Sequence, residues 1–443
     1  MTMQEFRARA FQYALEQGCD AAETYYAEGK DFEVNAQGGE MERYAVSRTG
    51  GLSLRVQLGG RDGYAYTECI DDPEELVRRA MDNARAIETD DEHPMQTACT
   101  YAPIDKKSCR LDGMDEEEKI ALALQLERDT LAADARVQRV MYCEVGTSEG
   151  RTGIHNTLGL CAERESRLAY CYAMPVVQEE GQVQNALAFR IGDDALDTAA
   201  CAAEAVRESV AKLGGEPVPS GSYAVVLRND AMADLLGAFS PVFSAEEAQK
   251  GRSLLAGREG TAVAAACVTI ADDPFHPYAP RAFDGEGTPC VKKNVVENGL
   301  LTTLLHNLKT ARKAGCASTG NGVRASAASP VGVGPTVLYI VPGEQTLDEL
   351  LADMGDGLLI TELEGLHAGL DPVSGDFSLK AAGRRIVDGR DAGAVSQITV
   401  AGNFLSLLNA VERVGADLKF GLPGSACVGS PSIRVRSLMV AGK

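Results

Sequence analysis

A hydrolytic zinc centre needs three protein ligands and an open position for water, and its histidines often stand one helical turn apart. The chain has five histidines, His93, His155, His276, His306 and His367. Even the nearest two in sequence, His276 and His306, are too far apart to share a turn. A helical His pair is therefore excluded, and any metal site would be assembled from distant residues. His93 and His276 adjoin prolines, His306 precedes a helix opening near Asn307, and His367 lies in a glycine-rich loop. A hydrogen-bonded structural role is expected of each. Glu246 and Glu247 are neighbouring carboxylates, but on a helix they point about 100° apart and form no catalytic dyad. Without a metal-bound water, capping and solvent exposure are their expected roles.

Other patterns fail in their context. Gly146-Thr147-Ser148-Glu149-Gly150 matches the spacing of a nucleophile elbow, which needs a strand before it and a helix after it. Strand-like residues follow instead, so a hairpin turn is expected there. Gly320-Asn321-Gly322-Val323-Arg324-Ala325 resembles a degenerate dinucleotide loop, yet it follows a helix pattern rather than a strand. No phosphate-binding P-loop is present. In the polar loop 369–376, Ser374 and Asp376 can satisfy backbone donors, and turn-building is the default role.

These residues must be positioned by a chain of 443 residues, which is long enough for two or three cores. Three units are expected, over 1–95, 96–218 and 219–443. The first joins a helix (3–17), strands (22–27, 31–35), a hairpin turning at 59–63 and a helix capped by Asp72 with Pro73 at its first position. The second begins with an acid-started helix (115–133). Strands follow at 137–145, 158–165, 168–175 and 183–191, then a helix (195–213). In the third, strand 223–227 leads into a helix capped by Asn229 or Asp230, with Met232, Leu235, Leu236 and Phe239 at helical spacing. Pro241 ends that helix, and Ser244 with Glu247 reads as a capping box opening another. Strands are expected at 267–270, 336–341, 358–363 and 432–440, with helices at 347–354 and 404–414. Asn298-Gly299 and Asp388-Gly389 are hairpin turns. The fold class is α+β: two small amino-terminal units of hairpins and helices, then a larger, mostly antiparallel mixed carboxy-terminal domain.

Composition narrows the function classes. There are 64 acidic against 43 basic residues, a net charge of −21. Such a surface repels phosphate backbones, and no compensating basic patch is present, so nucleic-acid binding is not expected. No apolar run reaches membrane-spanning length, and the amphipathic start lacks the features of a signal peptide. The 12 cysteines are scattered without a Cys-x-x-Cys. Free thiols in a reducing cytoplasm are expected.

The segment FSPVFSAEEAQKGRSLLAGREG resembles the modulator-of-gyrase (PmbA/TldD) family of paired metallopeptidases. LLHNLKTARKAGCASTGNGVRAS, GLHAGLDPVSGDFSLKAAGRRIVDGR and ITVAGNFLSLLNAVERVGADL extend the match over nearly the whole chain. The likeness is nearer to the PmbA-like (TldE-like) partner than to its TldD-like sibling. In the sibling, the helix matching the region of Ser244, Glu246 and Glu247 carries a His-Glu-x-x-x-His zinc motif, which is absent here. The sibling also uses a cysteine near its carboxyl terminus, and Cys427 lies in a comparable glycine-rich segment. Alone it would not hold a catalytic zinc.

The resemblance implies a cytoplasmic heterodimer in which the zinc-bearing sibling hydrolyses unfolded peptides or processes a peptide precursor. This chain would complete the cleft and bind no metal itself. His367, Ser374 and Asp376 then become expected peptide-contacting residues, since the family places this region near the cleft. Two alternatives stay open. One is a self-sufficient homodimeric peptidase using scattered residues such as His306, His367 or Cys427. The other is a non-enzymatic peptide-binding scaffold.

Overall fold

The computed structural model describes residues 1–87, 93–104, 110–192, 196–422 and 426–443. It has the expected α+β class, with antiparallel pairing dominant.

The amino-terminal half runs α1 (Met3–Glu16), β1 (Ala21–Gln37), β2 (Glu40–Leu58), β3 (Arg61–Thr67), α2 (Pro73–Ala86), α3 (Glu116–Ala132), β4 (Val137–Asn156), β5 (Cys161–Glu179), β6 (Gln182–Asn185), β7 (Ala188–Ile191) and α4 (Thr198–Ala211). Local chemistry sets the helix starts. Thr2 and Asp115 each close a capping box, with Glu5 and Glu118 respectively. Asp72 caps α2 ahead of Pro73. One sheet, ordered β3-β2-β1-β4-β5-β6 with β7 also on β5, runs through both amino-terminal units.

The two units keep separate cores on one face of that sheet. Phe6, Leu54, Val77 and Met81 pack beneath α1 and α2, whereas Val34, Leu126, Val145 and Cys201 pack beneath α3 and α4. Strand alternation sends Tyr25 and Ile154, opposite one another in β1 and β4, to the other face. There they meet Phe283 and Ala327 of the carboxy-terminal half.

That half runs β8 (Gly221–Leu227), α5 (Asn229–Phe239), α6 (Ala245–Gln249), β9 (Ile270–Asp272), β10 (Lys293–Glu297), β11 (Leu300–Leu301), α7 (Leu308–Ala314), β12 (Gly322–Val323), β13 (Gly332–Val333), β14 (Val337–Ile340), α8 (Leu347–Met354), β15 (Gly357–Glu364), β16 (Asp376–Val387), β17 (Arg390–Asn403), α9 (Phe404–Asn409), β18 (Val411–Val414), β19 (Lys419–Phe420), β20 (Cys427–Ser430) and β21 (Ile433–Ala441). One sheet has the order β11-β10-β9-β14-β20-β19. The other has β17-β16-β15-β8-β21-β18, and an extra β17–β21 pairing closes five of its strands into a ring. Both sheets and α5 share one apolar core, in which Phe239 stacks on Phe404 with centroids 4.5 Å apart.

Several elements differ from expectation. The strands expected at 22–27 and 31–35 are one strand, β1, and those at 158–165 and 168–175 are one strand, β5. The strand expected at 183–191 is two, β6 and β7. Gly146 to Gly150 is not a hairpin turn but the middle of β4. Its missing side chains are compensated by neighbours: a Cβ on Gly146 would strike the ring of Tyr170, which stands opposite it. The hairpin after β2 turns on Gly59-Gly60 alone, and β3 begins at Arg61. The cap of α5 is Arg228, not Asn229 or Asp230. Those two side chains accept instead from Asp230 and Ala231 N–H groups. The strand expected at 267–270 begins only at Ile270. The helix expected at 404–414 stops at Asn409, and Val411 to Val414 form β18 against β21. Part of the proline-marked stretch before α3, residues 88–92, lies outside the described residues. Just beyond it, His93 and Met95 are buried.

Candidate functional site

Pro241 holds a short 3-10 turn, Ser240–Phe243, after α5, and Ser244 then opens α6. The Ser244 hydroxyl accepts the Glu247 N–H at 3.4 Å, which is half of the expected capping box. The start of α6 is pinned to Leu305: Ala245 N–H donates to its carbonyl at 2.9 Å, and its own N–H donates to Phe243 at 2.8 Å. Glu246 binds Lys250 at 2.6 Å, and Glu247 takes a two-point bond from Arg252 at 2.8 and 2.9 Å. Both carboxylates are thus committed to cations about one helical turn away. The Gln249 amide donates to Thr310 O at 2.8 Å, which ties α6 to α7.

His306 lies just before α7. Its N–H donates to the Thr319 hydroxyl at 2.7 Å, and its carbonyl accepts from Ser318 Oγ at 3.1 Å. The ring is buried, its Nδ1 has no partner among the described residues, and burial holds its pKa below the usual histidine value. A neutral, enclosed imidazole is the result.

Cys427 belongs to β20, opposite Val337 of β14. It is 3% exposed among Ala271, Val337 and Tyr339, and burial raises its thiol pKa. Zinc takes thiolate, and this thiol is held protonated in an apolar cluster. Among the described residues, no three His, Cys, Asp or Glu side chains gather as a metal-binding group. The donor set around α6 does not fit a catalytic zinc.

Residues 365–376 form a tight surface loop. Asp371 Oδ1 accepts the Val373 N–H at 2.8 Å, and Ser374 Oγ accepts the Asp376 N–H at 3.2 Å. The Asn403 amide clamps the turn by donating to Ser374 O at 2.9 Å and to Asp376 Oδ1 at 3.0 Å. His367, Ser374 and Asp376 are all exposed. Ser374 and Asp376 come together in this loop, whereas Cys427 sits in a different sheet.

Two buried polar clusters escaped the sequence reading. The first centres on Asp272, the fully buried last residue of β9. Its Oδ1 accepts Thr336 N–H and Oγ1, each at 2.7 Å, and Val337 N–H at 3.1 Å. Its Oδ2 accepts Lys293 Nζ at 2.9 Å and Asn321 Nδ2 at 2.8 Å. This carboxylate therefore binds β10, the 319–322 turn and β14 into one unit. Asn321, in the stretch 320–325 whose likeness to a dinucleotide loop already failed in its sequence context, is a fully buried structural residue.

The second cluster lies where the amino-terminal sheet meets the carboxy-terminal half. Glu23 and Arg55 stand opposite one another in β1 and β2, and Tyr64 stands opposite Arg55 in β3. Arg55 binds Asp62 at 2.8 Å and the His93 carbonyl. His93 Nε2 lies 2.5 Å from Glu286 Oε1, and Glu286 Oε2 accepts the Leu308 N–H at 2.7 Å. Arg324 approaches Glu23 at 3.5 Å and covers the Tyr25 ring. Asp284 accepts the N–H groups of Glu286, Thr288 and Gly322.

Burial pushes Glu286 up to about 7, and burial followed by the Glu286 charge pushes Asp284 up to about 7. Burial, then Arg55, presses His93 down to about 3. Below neutrality the His93–Glu286 contact is therefore a protonated carboxyl donating to a neutral imidazole. The only local signal was two acids spaced by glycines, Asp284-Gly285-Glu286-Gly287.

Three family models match successive parts of the chain. They are PmbA/TldA metallopeptidase domain 1 at residues 22–84, the central domain at 109–213 and the C-terminal domain at 220–442. The chain belongs to the PmbA/TldD family of metallopeptidases. A metalloprotease of Methanothermobacter thermautotrophicus is 27% identical over 428 residues, spanning 91% of each chain. Metalloprotease PmbA of Escherichia coli O157:H7 is 25% identical over 426 residues, spanning 90% of this chain and 88% of the relative. A Thermotoga maritima structure, named for modulation of a DNA gyrase, is 32% identical, with a TM-score of 0.92 over 99% of this chain and 100% of that one. TldE from Thermococcus kodakarensis, 23% identical over 99% of this chain and 100% of its own, shares the fold with a TM-score of 0.90.

Proposed function

We propose that this chain is the PmbA/TldE-type subunit of a paired zinc metallopeptidase, acting with a TldD-like zinc-bearing partner on unfolded peptides or peptide precursors in the cytoplasm. The observation that carries this reading is the state of α6. Where the sibling's zinc motif would stand, Ser244 caps the helix, and Glu246 and Glu247 are held by Lys250 and Arg252. Those side chains serve the helix itself. The exposed loop of His367, Ser374 and Asp376 would rim the shared peptide cleft, and zinc would reside in the partner.

The test is elemental analysis and peptidase assay of this chain alone and mixed with its zinc-bearing sibling. The expected result is no stoichiometric zinc and no turnover alone, a stable complex on mixing, and turnover by the complex. Alanine at His367, Ser374 and Asp376 then weakens peptide affinity of the complex. About one zinc per isolated chain, lost on Cys427→Ala, would overturn the reading in favour of a self-sufficient peptidase.

A further inference from the structure

Two arginines meet where the amino-terminal sheet docks on the carboxy-terminal half. Arg164 of β5 shares a face with Ala162, the face that packs against Phe283. Its guanidinium lies over the Phe283 ring, 5.5 Å from the centroid, and donates once, at 3.4 Å, to the Phe283 carbonyl. Arg281 stands two residues before Phe283, held by its backbone N–H, which donates to Pro274 O at 2.7 Å. Its charge reaches Arg164: burial, then Arg281, pulls the Arg164 pKa down. Both side chains are half-buried, and among the described residues neither guanidinium forms an ion pair with a carboxylate. Asp284 acts on Arg164 more weakly, and its oxygens already accept three N–H groups.

This pair stands out in a chain with 64 acidic and 43 basic residues. Arg55, Arg190, Arg228 and Arg324 each hold a carboxylate, from Asp62, Glu204, Asp230 and Glu23 respectively. Two like charges partly withdrawn from water repel one another unless an anion joins them. A guanidinium stays charged at neutral pH and matches a carboxylate through two parallel N–H···O bonds. The pair also adjoins the region read as the cleft. Its segment continues to Glu286, whose carboxyl accepts the Leu308 N–H of α7, and Gln249 ties α7 to α6.

We infer that Arg164 and Arg281 form a carboxylate-binding subsite, which takes the free carboxyl end or an acidic side chain of a bound peptide. The inference rests on the reading of this chain as a peptide-handling subunit. Its consequence is a preference for peptides with a carboxylate, which the net charge of −21 would by itself oppose.

Steady-state cleavage by the complex with the zinc-bearing sibling tests it. The substrates are a short internally quenched peptide without Asp or Glu, made as the free acid and as the amide, and the same amide with one Glu inserted. The parent complex is expected to cleave one carboxylate-bearing form, or both, with KM roughly ten- to a hundredfold below that of the plain amide, and with kcat little changed. Preference for the free acid assigns the subsite to the peptide terminus, and preference for the Glu-bearing amide assigns it to a side chain. Arg164→Gln with Arg281→Gln should raise the favoured KM to the amide value and leave the amide itself unchanged. Far-UV circular dichroism checks folding. Arg281→Gln alone removes one of the two charges without touching the Phe283 contact of Arg164, and is expected to abolish most of the preference. Equal KM values for all three substrates in the parent would overturn the inference while leaving the paired-peptidase reading standing. So would a preference that survives both substitutions, or variants that instead lose the complex, which would put a carboxylate of the sibling at the pair. A parent chain that neither joins the sibling nor supports turnover would overturn the reading itself, and the inference with it.

Discussion

Replacing Asp272 by alanine removes five hydrogen bonds from a site with no solvent access. Three of the lost donors, the Thr336 N–H and hydroxyl and the Val337 N–H, are neutral groups that lose a charged acceptor, at about 1 kcal/mol or more each. The greater loss falls on the ammonium of Lys293, 12% exposed, which is left without its counter-charge; breaking such a pair from one side costs about 3–5 kcal/mol. The losses overlap, because Lys293 keeps Asn321 Oδ1 at 2.9 Å and the Thr336 hydroxyl can rotate. A total of roughly 4–6 kcal/mol follows, a large share of the ~5–15 kcal/mol that holds a domain folded. The chain has no tryptophan, so urea unfolding is best followed by far-UV circular dichroism. Adding Lys293→Met removes the stranded charge and should recover about 2 kcal/mol. An Asp272→Ala variant within about 1 kcal/mol of the parent would refute the reasoning.

Two further predictions concern the amino-terminal half and its junction. Asp284 and Glu286 keep their protons in the fold up to about 7, whereas the unfolded chain releases them near the ordinary values of 3.8 and 4.5. Their contribution is therefore complete below those values and is lost as pH rises through about 7. His93 has the opposite sign: its contribution is present above 6.5 and is lost as pH falls towards 3. Thermal melts across this range should show the alkaline-side loss flattened by Asp284→Asn with Glu286→Gln, and an unchanged slope would count against the assignment. Gly63→Ala would drive a Cβ into the Ala80 carbonyl and into Ala84 of α2. A loss of about 2–4 kcal/mol is expected in denaturant melts. A neutral result would mean that α2 can lift from β3 without cost.

What was legible in the sequence was the local chemistry. Asp72-Pro73 started α2 where expected, and Leu347–Met354 is α8 to the residue, with Thr346 and Glu349 closing its capping box. The hairpin turns at Asn298-Gly299 and Asp388-Gly389 have the positive φ values that their residues favour. The long strands were obscured because glycines in their middles imitate turns. Gly51 and Gly146 are filled by the rings of Tyr66 and Tyr170 from neighbouring strands, a compensation that sequence spacing does not reveal. Val411 to Val414 continued an apolar run and hid a change from helix to strand.

For the site, the absence of a helical histidine pair was plain, and so was the Ser244 cap. The Asp272 and Glu286 clusters were invisible because each draws single residues from distant segments. His93 and Glu286, for example, meet only when the two halves dock.

The five-strand ring has a consequence for synthesis on the ribosome. β8 must pair with β21, Leu227 against Ile433, and β21 also seals the ring against β17. Everything between those strands is made before the ring can close, so β8 waits with one edge bare while nearly the whole carboxy-terminal half emerges. Such distant pairing is slow, because the entropy of joining remote segments is lost before any contact rewards it. The amino-terminal sheet, complete once β7 appears, can fold first and offer the Glu23–Arg55 face as a template. The nascent chain's dependence on chaperones should therefore fall in the interval before β21 is released.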